Sequence, residues 1–312
     1  MANFSRRDFL KNSAFLTGAA WLSTSVFGCS SSVKVAKNTS PIQFLHGVAC
    51  GDPLTDSLIL WTKVTPAQQP DSVQLLLEVS ETADFSKVQH QELCLARQEA
   101  DYCCKVDLTG LQPGRSYYYR FSDSNTVSAV GHGKTFPAGS VSQVRFAVLS
   151  CSNYPAGYFH VYQQVAQQQL DAVLHLGDYI YEYAGAANAV RLPSGGWVNS
   201  LSDYRDRYAL HRSEKSLQAM HAQCPWLITW DDHEVSNDYA GLVRGQSGNI
   251  GFDFVAQRAR AYQAFYEHMP LRASALTKSI EGLASGAELR IYGQVSFGKL
   301  ANIKIAPEDT ET

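Results

Sequence analysis

Between residues 145 and 234 three short apolar runs each stop at residues with metal chemistry, and no other feature constrains the fold as tightly. The run 145–150 ends at Cys151, and the run 171–176 ends at Gly177 and Asp178. The run 226–230 leads into Asp231, Asp232, His233 and Glu234. Between the first two runs, residues 157–169 place Phe159, Tyr162, Val165 and Ala166 at helical spacing. Strand, helix, strand reads as a βαβ unit, so the two strands are parallel and the crossover right-handed. A second helical stretch runs from about 202 to 221. A third covers 252–269, apolar at Val255, Ala259, Tyr262 and Phe265, and stops before Pro270. This part of the chain is α/β.

In such sheets the carboxyl ends of parallel strands line the crevice where ligands bind. Cys151, Asp178, Asp231, Asp232 and His233 therefore converge on one rim, and Tyr181 follows Asp178 closely enough to turn its phenol back to it. Carboxylates held close together raise each other's pKa unless cations neutralise them. The cluster reads as a metal cradle. Aspartate oxygens suit Ca²⁺, Mg²⁺ or Mn²⁺, whereas thiolate and phenolate favour a transition metal, ferric iron in particular. His175 lies inside an apolar strand and reads as a core residue.

The preceding segment, 41–138, has a different texture. Runs at 57–62, 73–79, 102–108 and 117–121 are β-rich and separated by turn clusters at 51–53 and 112–114. Short strands with regular turn signals indicate a β-sandwich. The stretch LQPGRSYYYR (111–120) resembles the turn-then-tyrosine pattern of fibronectin type III modules.

Residues 1–29 read as an export leader. Arg6 and Arg7 precede a modest apolar stretch rich in small residues, from Ala14 to Phe27, which is too short to span a bilayer. The arginine pair points to the Tat translocase, which carries folded proteins. The stretch VFGC (26–29) resembles a lipobox, so two fates stay open: lipidation at Cys29 with a membrane anchor, or ordinary cleavage into the periplasm. In an oxidising compartment Cys94, Cys103 and Cys104 are able to pair, in a combination the sequence does not choose. A linker at 30–40 and a second domain at 143–312 complete the division.

Composition excludes other classes. The chain is 45% hydrophobic with a net charge of only −3, which rules out disorder, and no basic run exists to bind nucleic acid.

Four motifs carry a family resemblance: FLHGVACGDP (44–53), SCSNY (150–154), HLGDYIYEY (175–183) and PWLITWDDHEV (225–235). Together they resemble the alkaline phosphatase D, or PhoD-type, branch of the calcineurin-like metallophosphoesterases, from the leader to about Ile305. The resemblance implies a β-sandwich followed by a metallophosphatase domain, with Fe³⁺ and Ca²⁺ as cofactors and a phosphomonoester or phosphodiester as substrate. It places Cys151 and Tyr181 on iron, Asp178 between the two metals, Asp232 on the second metal and His233 against the phosphoryl group. Asp231 and Asn153 are further candidate ligands. The implied reaction is in-line attack on phosphorus by a metal-activated hydroxide. Family chains continue through another half-domain, so the expectation here is an incomplete metallophosphatase domain with little activity. The strands 145–150 and 226–230 are then expected to lie partly uncovered. Two other classes stay open, a binding or scaffold protein with a vestigial metal site and a phospholipase-like diesterase.

Overall fold

The computed structural model describes residues 38, 40–241, 243–245, 254–272 and 293–305. The leader, with Arg6, Arg7 and Cys29, lies outside the described residues, as does most of the linker.

The strands of the first unit are β1 (Ile42–Gln43), β2 (Val48–Gly51), β3 (Leu58–Lys63), β4 (Thr65–Pro66), β5 (Ser72–Ser80), β6 (Val88–Arg97), β7 (Cys103–Leu108), β8 (Ser116–Ser122) and β9 (Gly131–Lys134). Strands β6-β5-β8-β9 form one antiparallel sheet, and β2-β3-β7 lie antiparallel in another. Alternation in β5 sends Val73, Leu75, Leu77 and Val79 inward, where they meet Leu58, Leu60, Cys104 and Val106 of the facing sheet. This is a sandwich. The short pair β1–β4 closes one margin.

The second unit contributes β10 (Phe146–Leu149), helix α1 (His160–Val165), β11 (Ala172–His175), α2 (Leu201–Ser213), α3 (Lys215–Gln223), β12 (Trp226–Ile228) and α4 (Phe254–His268). A hairpin of β13 (Gly293–Phe297) and β14 (Ala301–Ile305) follows. Strands β10, β11 and β12 are parallel, as the βαβ pattern requires. The two units share a sheet. Trp226 of β12 pairs with Gly51 of β2, giving the order β10-β11-β12-β2-β3-β7.

That junction explains β3. All six of its residues are buried, because one face lines the sandwich core and the other meets α4. The Trp61 indole N–H donates to the Glu267 carbonyl at 2.8 Å, and the Arg212 guanidinium sits 4.0 Å from the Trp61 ring. A double-sided burial of this kind turns an alternating strand into a continuous apolar run.

Several expectations need correcting. The helix read over 157–169 shrinks to α1, because Gly157 is extended, only Tyr162 is buried within α1, and Gln167–Gln169 face solvent. The stretch 202–221 is two helices. Glu214 is extended between them, where it pairs with Arg191 at 2.6 Å, and the Ser213 hydroxyl donates to the Leu210 carbonyl. Of the two strands expected to be uncovered, only β10 is an edge, with Val148 59% exposed. β12 is fully buried between β11 and β2. The segment 299–305 supplies the second strand of a hairpin whose Phe297 packs on Phe136, Ala172 and Leu227.

Five histidines withdrawn from water set an acid limit. Burial pushes His46 and His175 down to about 3, His211 and His268 down to about 4, and His221 well below its usual value. Below pH 6.5 the unfolded chain takes up protons that the folded histidines refuse, so stability falls with pH until the folded values are reached. Glu234, pushed up to about 8 by burial, works in the opposite sense, as do the carboxyls of Asp52, Asp178, Asp206 and Glu267, which burial also raises, and the raised His233. Each net proton is worth about 1.4 kcal/mol per pH unit. With the histidines outweighing the raised groups, the urea midpoint at pH 5 is expected below that at pH 7, and a higher midpoint at pH 5 would contradict this balance.

Candidate metal centre

Because β10, β11 and β12 are parallel, the loops at their carboxyl ends lie side by side. Cys151 and Asp178 begin the first two loops in the left-handed region, at φ 58° and 54°. Side-chain-bearing residues reach that region at a cost of about 1–2 kcal/mol, and here backbone hydrogen bonds hold them there. The Cys151 N–H donates to the Gly177 carbonyl at 3.2 Å, and the Ser152 N–H to the Asp178 carbonyl at 2.7 Å.

The second and third loops are tied by Glu234, whose carboxylate is 1% exposed. It accepts from the backbone N–H groups of Asp178 at 3.0 Å, Asp231 at 2.8 Å and Tyr179. Gly177, at φ 103°, lies against the third loop so closely that a Cβ there would stand 2.3 Å from the Asp231 nitrogen. No side chain fits between them.

These contacts bring Asp178, Asp232 and His233 together, with ligand atoms within 4.8 Å of one another. Asp178 Oδ2 accepts from the Tyr181 hydroxyl at 2.9 Å and from the Cys151 thiol at 3.4 Å. Its Oδ1 is buried and has no hydrogen-bond partner among the described residues. A buried carboxylate oxygen without a donor is costly, and burial accordingly pushes the Asp178 pKa up, against the pull of His233, Tyr181 and Cys151. A cation beside Oδ1 removes that cost. The donor set of carboxylates, imidazole, thiol and phenol fits a metal ion.

The orientation of His233 is set from behind. Its Nδ1 lies 2.7 Å from Glu182, a buried carboxylate that also accepts from the Asn237 N–H at 2.9 Å. A carboxylate only accepts, so Nδ1 carries the proton and Nε2 is left for the site. Tyr181 packs against the imidazole with ring centroids 4.2 Å apart. Burial alone pushes His233 down, but Glu182, Asp232 and Asp178 more than reverse this and its pKa lies above 6.5. Glu182→Gln, which keeps the shape and removes the charge, is expected to lower the His233 pKa in the metal-free protein. Imidazole chemical shifts followed against pH would show it, and an unchanged value would contradict the pairing.

The remaining candidates sit nearby. Asn153 donates its amide N–H to the Tyr183 hydroxyl, and its Oδ1 accepts from the Ala156 N–H at 3.2 Å, so both ends of the amide are engaged. Asp231 lies beyond β12, after Thr229 and Trp230, but is outside the three-residue cluster, and its backbone is held by Glu234. Asp232 accepts from the Asp238 N–H at 2.6 Å. His175 is buried beneath the rim against Tyr179 and Trp226, as a core residue. Reading the sequence missed Glu182 and Glu234. Both stand inside the quoted motifs, but holding backbone N–H groups and an imidazole leaves no signature in spacing.

An α/β domain that gathers carboxylates and a histidine at its strand ends, joined to a β-sandwich through a shared sheet, has known counterparts. Residues 146–306 match the family model for PhoD-like phosphatase, and residues 28–137 match the model for the N-terminal domain of PhoD-like phosphatases. The chain belongs to the PhoD-like phosphatase family. It is 38% identical to the alkaline phosphatase D of Bacillus subtilis (strain 168) over 97% of its own length and 53% of that protein's. A solved structure of PhoD superposes with a TM-score of 0.78 at 39% identity, covering 86% of this chain and 52% of that one. The chain thus spans about half the length of the relatives it matches.

Proposed function

We propose that this chain contributes to the metal centre of an exported phosphoesterase that hydrolyses phosphomonoesters, phosphodiesters or both. The observation that supports the reading best is the Oδ1 of Asp178, without a hydrogen-bond partner among the described residues and buried beside Asp232 and His233 in a chain of a phosphatase family. Cys151 and Tyr181 would hold ferric iron, Asp232 calcium, and Asp178 both, with Asp231 and Asn153 as further candidate ligands. Ions held there supply the Lewis acidity that phosphate ester hydrolysis needs.

The chain's own residues have separate tasks. Glu182 keeps the His233 proton on Nδ1 and turns Nε2 to the substrate side. When protonated there as well, Nε2 donates to a phosphoryl oxygen as negative charge builds on it. Glu234 and Gly177 fix the spacing between the Asp178 and Asp232 loops. The three-plus-four strand order of the sandwich supports a fibronectin type III-like module, packed as scaffolding because both faces of β3 are covered. Arg6 and Arg7 would direct export through Tat, and Cys29 would anchor the protein if lipidated.

Iron can be tested directly. Protein supplied with Fe³⁺ should show a phenolate-to-iron band in the visible, and Tyr181→Phe should remove it while leaving the far-ultraviolet circular dichroism unchanged. A colourless wild-type protein that nonetheless binds iron would overturn the placement of Tyr181. Any hydrolysis of an aryl phosphate should disappear with a chelator, and hydrolysis that survives it would overturn the metal reading itself.

A further inference from the structure

The sandwich contains a thiol pair that the proposed chemistry does not use. β6 and β7 are consecutive strands that belong to opposite sheets. A tight corner joins them, with a 3₁₀ turn at Gln98–Ala100 and left-handed Asp101 and Tyr102. The Tyr102 N–H donates to the Arg97 carbonyl at 2.8 Å, so the end of β6 and the start of β7 face each other across the open side of the sandwich. Cys94 lies two residues before the core residue Ala96, and alternation turns both inward. Cys104 is buried in the same apolar core, against which Cys94 packs.

We propose that Cys94 and Cys104 form an intramolecular disulfide that closes this side of the sandwich. The two side chains already interact, and that contact, followed by burial, pushes the Cys94 thiol up. Strand geometry excludes the neighbours. Cys103 is adjacent in sequence but points to the other face of its sheet, where it packs with Ala49 and Trp61. Cys50 faces the sandwich core from β2, with β3 between β2 and β7. At about 4.8 Å per strand spacing that is roughly 10 Å, beyond the reach of a disulfide.

Formation breaks two S–H bonds and makes one S–S bond. The two electrons and two protons pass to the disulfide of an oxidant of the thiol–disulfide oxidoreductase or glutathione class, which leaves as two thiols. The inference depends neither on the metal centre nor on phosphatase activity.

Peptide mapping of the whole chain tests it. The purified protein is incubated with oxidised glutathione, trapped with an alkylating agent under denaturing conditions, and digested with trypsin. The expected product joins peptide 88–97 to peptide 98–105, lighter than the two reduced peptides together by two hydrogens once the alkyl group on Cys103 is subtracted, with fragment ions that place the bond on Cys104. It should persist in Cys103→Ser and vanish in Cys104→Ser, leaving Cys94 alkylated. The wild-type fragment ions decide the matter even if a variant fails to fold. A Cys94 that stays alkylated after oxidation, carries only glutathione, or is joined to Cys103 would overturn the proposal.

Discussion

Gly177→Ala is expected to unfold the rim or spread it apart, and to remove metal binding with it. The added Cβ would meet the Asp231 nitrogen at 2.3 Å, the Asp231 Cβ at 2.5 Å and the Trp230 carbonyl carbon at 2.7 Å. Two of these are backbone atoms of the neighbouring loop, so no rotamer change relieves the contact. The φ of 103° adds a conformational cost that only glycine avoids. Overpacking of about 1–3 kcal/mol and backbone strain of similar size give roughly 3 kcal/mol or more. Relief requires the ends of β11 and β12 to move apart, which separates Asp178 from Asp232. Metal affinity should fall at least ~10-fold even where the fold survives. Urea unfolding and metal titration read the two effects separately, and a variant matching wild type in both would show that the close approach is not needed.

Glu234→Ala should be similarly severe for a different reason. The carboxylate is the acceptor for three backbone N–H groups from two loops, those of the buried Asp178 and Tyr179 and of the half-buried Asp231. A buried donor left without a partner costs about 1–3 kcal/mol, so the sum reaches at least ~3 kcal/mol. That is a large share of the 5–15 kcal/mol that holds an ordinary domain together. Glu234→Gln should lose less, because its amide oxygen still accepts while its NH₂ faces a donor. A loss below ~1 kcal/mol for the alanine variant would mean that water reaches these N–H groups, contrary to the burial described.

The parts of this molecule that were legible in the sequence are those where one physical cause dominates. β5 alternates because one face meets the sandwich core, and β11 and β12 are continuous apolar runs because both faces are covered. Three strand ends carrying Cys151, Asp178 and the Asp231–His233 run pointed to a shared rim once the sheet was taken as parallel. The rest depends on contacts between distant segments. The bend at Glu214 requires Arg191 from a loop 23 residues earlier. The continuity of β12 with β2 rests on a pairing between Trp226 and Gly51, which no local pattern encodes. β3 read as an ordinary sandwich strand because α4, which buries its outer face, arrives two hundred residues later. Glu182 and Glu234 belong to the same group. Their chemistry is visible, but their partners are fixed only when the loops meet.

That Asp178 and Asp232 hold metal ions, with His233 left to face the substrate, is the proposal that most needs a test. Its most direct test is elemental analysis of the purified chain after equilibration with Fe³⁺ and Ca²⁺ and removal of free ions, for wild type beside Asp178→Asn. The substitution preserves the shape of the side chain and removes its charge. The expected result is bound metal in the wild type and loss of most of it in the variant, with circular dichroism unchanged. Equal metal content in the two proteins, or none in the wild type, would contradict the account.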